Sequence, residues 1–165
     1  LLSDDGGRSF TQAKGVPVRS TLTSVNFVDE QHGWIVGQRG VILSTTNGGT
    51  SWQLQRKDDT VDQPLFSVYF KDQQTGFAVG LWSLLLRTTD GGKHWEKLQL
   101  GGVAEGNGAQ LNLFSVFGDA AGTLYVAAEQ GRVLVSHDDG NSWRAASTGS
   151  KSSLWAGAVG KRGEV

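Results

Sequence analysis

Three features of this sequence predict an all-β fold. Gly accounts for 24 of the 165 residues, roughly twice its ordinary usage, so tight turns are frequent. Apolar runs are short and bounded by Gly or polar clusters, and no window carries a convincing helical period. A corner of the form Ser/Thr-x-Asp/Asn-x-Gly-x-x-aromatic recurs four times, at 3–10, 45–52, 88–95 and 136–143, with offsets of 42, 43 and 48 residues. Four short strands in every unit of about 40 residues is the pattern of a β-propeller blade.

The elements follow in order along the first unit. "LTSVNFV" alternates apolar and polar residues and reads as a half-buried strand at about 22–28. "DEQHG" is a polar turn, and "GWIVG" is a buried strand at 33–37. A second turn at Gln38 and Arg39 leads to strands at about 41–46 and 51–55, joined by the corner. "LFSVYFKDQQTGFAVGLWSLLLRTT" repeats this unit closely, and "LFSVFGDAAGTLYVAAEQGRVLVSH" repeats it more loosely. The blades are therefore expected at about 22–55, 65–99 and 111–146. Residues 152–165 read as the first strand and the start of the second in another blade. Residues 1–13 read as the end of a third strand, its corner and a fourth, so the two ends form a split blade. The Gly-rich stretch 101–113 is either a plain insertion or a mobile binding loop.

The corner predicts its own chemistry. Its first position is Ser3, Thr45, Thr88 and Ser136, and its third is Asp5, Asn47, Asp90 and Asp138. An oxygen at the third position can accept backbone N–H groups and close an Asx-type turn. The fifth position is always Gly, as Gly7, Gly49, Gly92 and Gly140, which takes a positive φ at low cost. The eighth is aromatic, as Phe10, Trp52, Trp95 and Trp143, and opens the fourth strand as an apolar plug. A phosphate-binding loop is excluded at 44–52, because no Lys follows the glycines and no helix follows the loop.

Bulk properties exclude several classes. The formal net charge is −1, so there is no basic excess to hold a nucleic-acid backbone. No stretch approaches eighteen apolar residues, as a spanning helix would need. There is no Cys, which removes disulfides, zinc-thiolate sites and thiol nucleophiles. No signal-peptide pattern is present, but the chain opens on Leu1 rather than Met, which leaves the compartment open.

The corners match the Asp-box, or BNR repeat, of sialidases and related propellers. The fuller unit "GWIVGQRGVILSTTNGGTSWQLQ" resembles the photosystem II assembly and stability factor family, which has bacterial members outside photosynthesis. The likeness covers about 22–99 well and 111–146 loosely. It implies a seven-bladed propeller acting as a scaffold or assembly factor for a protein partner, on the non-cytoplasmic side, with no catalytic residues and no cofactor. Seven blades need roughly 300 residues at about 40 to 45 per blade, whereas 165 residues hold about four. The expectation is a piece of a larger ring, or a homodimer that closes one.

Asp-box propellers also include glycosidases, so a glycan-directed protein is the alternative. The sialidase site resembles an Arg triad with a Tyr–Glu pair; here only Tyr69 and Tyr125 are available, in apparent strands, and "VPVRS" at 16–20 is faintly similar to the family's Arg-Ile-Pro element. Asp58, Asp59, Asp62 and Glu105 are loop carboxylates that could pair across a cleft, and the plain reading is solvated charge. His32, His94 and His137 lie at turns without metal-ligand spacing. Binding is assigned to loops that a rigid ring presents. Gln38 and Arg39, Leu81 and Trp82, and Glu129 and Gln130 are equivalent in three blades, and Arg39, Trp82, Glu129 and Gln130 are the candidate contact residues. Trp82 leads, because a Trp replaces the polar residue of its relatives; packing over a neighbouring blade is the alternative.

Overall fold

The structure, a computed structural model, describes residues 1–106, 109–160 and 164–165. Three four-stranded antiparallel meanders form it. The first holds β1 (Leu22–Phe27), β2 (Gly33–Gly37), β3 (Ile42–Thr45) and β4 (Gln53–Arg56). The second holds β5 (Leu65–Phe70), β6 (Gly76–Gly80), β7 (Leu85–Thr88) and β8 (Glu96–Lys97). A small hairpin, β9 (Glu105–Gly106) with β10 (Ala109–Gln110), occupies the Gly-rich stretch, of which 107–108 lie outside the described residues. The third meander holds β11 (Leu113–Gly118), β12 (Leu124–Ala128), β13 (Arg132–Ser136) and β14 (Arg144–Ser147). The fold is all-β and built of propeller blades, as the repeat predicts.

Each blade is buried against its neighbours. Period-two alternation sends successive side chains to opposite faces, so each sheet feeds two cores. Trp34, Val36 and Ile42 of the first blade meet Val68, Phe70 and Ala78 of the second. Phe77, Val79 and Leu85 of the second meet Val116, Val126 and Leu134 of the third. The innermost strands are also pegged by polar side chains. Thr23 Oγ1 donates to the Leu65 carbonyl at 2.7 Å, Asn26 Oδ1 accepts the Phe70 N–H at 2.9 Å, and Ser67 Oγ accepts the Val116 N–H at 3.2 Å. These pegs satisfy inner-edge backbone groups that no ladder reaches. The same register shift recurs at the start of β1, β5 and β11.

The four corners share one geometry. In the third, Thr88 Oγ1 donates to Asp90 Oδ1 at 2.9 Å and accepts the Gly92 N–H at 2.8 Å, and Asp90 Oδ1 accepts the His94 N–H at 3.0 Å. The fourth repeats it with Ser136, Asp138, Gly140 and Ser142. The first does so with Ser3, Asp5, Gly7 and Ser9. In the remaining corner Asn47 Oδ1 accepts from Thr45 Oγ1 and Ser51 N, while its Nδ2 donates to Ser51 Oγ. Trp52 and Trp143 return their indole N–H to the carbonyls of Gly49 and Gly140. Trp95 instead packs edge-on against Phe70.

The strand expected at the C-terminal end needs correction. Residues 152–160 carry no strand, and 161–163 lie outside the described residues. Leu154 N still donates to the Ala128 carbonyl at 3.0 Å, and Trp155 stacks on Phe114 with ring centroids 4.1 Å apart. Phe66 stacks on Phe114 in the preceding blade pair, so the segment sits where an inner strand belongs. It lacks a ladder because no second strand lies against it among the described residues. Residues 1–13 likewise hold a corner closed by the single Leu2–Thr11 bridge rather than two strands. Phe10 is therefore 60% exposed, while Trp52 is buried.

Candidate functional site

The meander places two sets of loops on opposite faces. The corners of the first two blades are tied to the turn between the first and second strands: the Gly48 N–H donates to the Gln31 carbonyl, and the Gly91 N–H to that of Gln74. The turns between the second and third strands are tied instead to the inter-blade connections, with Gln38 N donating to Thr21 O, Leu81 N to Pro64 O and Glu129 N to Asn112 O. The sequence-predicted contact residues all lie on this second face.

Those turns are mirror-image hairpins. Arg39, Trp82 and Gln130 have φ of 58°, 53° and 59°, and the residues after them, Gly40, Ser83 and Gly131, have φ of 58°, 54° and 64°. Two consecutive left-handed residues closed by a bond to the residue three before them (Val41 to Gln38, Leu84 to Leu81) make a type I′ turn. Gly suits the second position, where a Cβ at Gly40 would strike Arg56 and one at Gly131 would strike the Ser150 carbonyl. Ser83 has room, and its backbone N–H is held by the Leu111 carbonyl at 2.8 Å. For a bulky residue such as Trp82 the left-handed region is a strained choice. Its ring is 47% exposed.

A hydrogen-bonded relay joins two of the turns. Asn112 Oδ1 accepts the Trp82 N–H at 3.1 Å, while Asn112 donates its own N–H and its Nδ2 to the two oxygens of Glu129, each at 2.9 Å. Glu129 is thus occupied in positioning Asn112, whose side chain holds the Trp82 N–H. Sequence reasoning missed Asn112, since its bond to Trp82 runs between blades. Arg39 projects from the first blade's turn, its Nη1 4.0 Å from Asp59. Gln130 sits half-buried in the third.

Of the carboxylates considered for catalysis, Asp58 and Asp59 are already engaged, and Asp62 is an exposed loop residue. Asp58 accepts from Thr60 Oγ1, Thr60 N and Val61 N and lies 3.4 Å from Arg56, and these partners hold its carboxyl below the usual range. Asp59 pairs with Lys57 at 2.7 Å. The side chain of Glu105 lies outside the described residues. Burial, and then the Asp119 carboxylate, push the Tyr69 hydroxyl up from its ordinary value, away from the phenolate a nucleophile needs. His32 and His94 hydrogen-bond to Asp29 and Asp90. Among the described residues no group of three His, Asp or Glu converges on a metal position.

The corner carboxyls give a pH test. The Ser142 hydroxyl, then its N–H, then Ser136 lower the Asp138 carboxyl to about 2, and analogous donors place Asp5 and Asp90 well below the usual range. A lowered folded-state value means stability that is present above the ordinary carboxyl range near pH 4 and is lost as pH falls through the folded value. Urea melts between pH 5 and 2 are expected to show that loss. Asp138→Asn is expected to remove part of it with little change at pH 7, because Asn47 already closes the same corner with an amide. An acid limb unchanged by that substitution would contradict the assignment.

A family model described as photosynthesis system II assembly factor YCF48 matches residues 7–154. Over 46 residues, 27% of this chain and 10% of the relative, the chain is 39% identical to the chloroplastic photosystem II stability/assembly factor HCF136 of Cyanidioschyzon merolae. The solved structure of YCF48 bound to D1 peptide superposes with a TM-score of 0.72 at 26% identity, covering 87% of this chain and 46% of that one. An ancestral GH74 enzyme superposes with a TM-score of 0.57 at 18% identity, over 74% of this chain and 18% of its own, a likeness of fold alone. The chain thus spans less than half the length of these relatives.

Proposed function

The chain belongs to the PSII_BNR family, whose model is that of the photosynthesis system II assembly factor YCF48, and on that premise we propose that it is a non-catalytic scaffold holding a protein partner on its turn face during assembly of a larger complex. The superposable YCF48 structure with its bound D1 peptide carries this reading. Arg39, Trp82 and Gln130 supply the contacts, and Glu129 positions Asn112, which holds the Trp82 N–H. The four corners act as Asp-boxes that staple the blades. We place the protein outside the cytoplasm, as a periplasmic or lumenal factor. Segments 1–13 and 152–165 belong to further blades of a ring, completed by more of the same polypeptide or by a second copy; native mass measurement separates the two.

Calorimetric titration of this chain with the D1 peptide tests the reading. Saturable binding is expected, weakened about tenfold by Trp82→Asn, the size of a modest hot spot. Asn accepts the left-handed region, so the same substitution is expected to leave folding stability unchanged or raise it by up to about 1 kcal/mol. Destabilisation instead would make Trp82 a packing residue. No binding of the peptide, together with turnover of a fluorogenic glucan or sialoside, would sink the scaffold.

A further inference from the structure

We propose that the groove between the 14–20 segment and the first blade's turn seats an acidic peptide segment of the partner, a refinement that rests on the scaffold reading above. Val16 and Val18 pack onto the core formed by Val41, Leu43 and Trp52. The alternation of this extended segment then turns Pro17 and Arg19 to solvent. The Thr21 carbonyl accepts the Gln38 N–H at 2.9 Å and locks the segment against the turn. Arg39 follows in the left-handed position, with 59% of its side chain exposed. Lys57 arrives just past β4. Together with Gln38 and Leu54 these residues line a groove of about 480 Å³.

The lining holds three cations and no carboxylate. Arg19 makes no hydrogen bond or ion pair among the described residues. Asp59 stands at the rim, 2.7 Å from Lys57 and 4.0 Å from Arg39. Asp58 is turned away onto Thr60, Val61 and Arg56. On the corner face Lys71 and Arg87 each have a carboxylate of their own, Asp139 and Glu96 at 2.6 and 2.7 Å, whereas in the groove the single Asp59 is shared between Lys57 and Arg39. Arg19, Arg39 and Lys57 less the one Asp59 leave two positive charges, which suit two carboxylates on an extended chain. Exposed Leu54 and Pro17 give its aliphatic parts a floor. A nucleic-acid backbone is a poor fit for a chain of net charge −1 with so few cations gathered. An incoming carboxylate replaces Asp59 beside Arg39.

Fluorescence anisotropy with a fluorescein-labelled peptide of alternating Ala and Glu, and with its Gln counterpart, tests the groove. The Glu peptide is expected to bind at low salt and the Gln peptide to bind at least tenfold more weakly, roughly the value of one charge-assisted bond. Arg19→Glu and Arg39→Glu are each expected to cost about tenfold, and Asp59→Asn to strengthen binding. Arg8→Glu, the same charge change at an exposed corner, is expected to change nothing, and thermal melts confirm that all four variants fold. Equal binding of the Glu and Gln peptides, indifference to both Arg reversals, or full displacement by millimolar inorganic phosphate would overturn the proposal. D1 peptide titration separates the outcomes. Binding of D1 peptide without binding of the Glu peptide removes the groove alone, and failure of both removes the scaffold as well.

Discussion

Replacing Phe77 with Ala is expected to destabilise the protein by about 3–5 kcal/mol, the usual cost of emptying a fully buried aromatic site. Phe77 is wholly buried between the second and third blades, among Leu100, Val116 and Leu134. Its ring edge lies against Gly140, where a Cβ would strike it at 2.7 Å. The substitution therefore opens the blade interface at its centre and loosens the fourth corner as well. In a repeat architecture each unit is stabilised by contacts with its neighbours, so the loss is felt by both blades that share this core. Phe10 is the control. It holds the aromatic position of an exposed corner, and Phe10→Ala is expected to stay within about 0.5 kcal/mol of the parent. Urea denaturation followed by Trp fluorescence reads both. A loss below about 1 kcal/mol for Phe77→Ala would show that the blades are not held by this interface.

Thr88→Val carries the second large effect, about 1–3 kcal/mol. Val keeps the shape and removes the hydroxyl. The Gly92 N–H then loses its acceptor at 2.8 Å, and Asp90 Oδ1 loses its donor at 2.9 Å. Thr88 is buried, so water does not replace those bonds cheaply. Ser3→Ala removes the same pair of bonds from the exposed first corner, where water substitutes, and is expected to cost far less. Equal costs at the two positions would mean that burial is irrelevant to the motif, contrary to its role as a staple.

How much of this was legible depends on how local each feature is. The corners are closed by residues within five positions of one another, so Thr88, Asp90 and Gly92 could be read together from their spacing. Strand alternation in "LTSVNF" and "LFSVYF" was equally readable, and the strands fall within about two residues of where the pattern puts them. The mirror-image turns were half legible. Gly40 and Gly131 signal a left-handed residue, but Trp82–Ser83 contains no Gly, and nothing local announces that both residues adopt positive φ. The Asn112–Glu129 pair spans 17 residues, and the bond from Trp82 to Asn112 crosses from the second blade to the third, which no periodicity encodes. The sequence sets Arg19 only within "VPVRS", because its neighbours in the groove come from two other segments. The missing ladder at 152–160 teaches the converse. Alternation specifies which side of a strand is apolar, whereas a ladder also requires a second strand beside it.

The most direct test of the account is hydrogen exchange on this chain with and without the D1 peptide, resolved to short segments. The account predicts added protection in 38–41, 81–84 and 129–131, on the turn face, with exchange at the corners 45–52, 88–95 and 136–143 unchanged. Protection concentrated at the corners, with the turns indifferent, would contradict it.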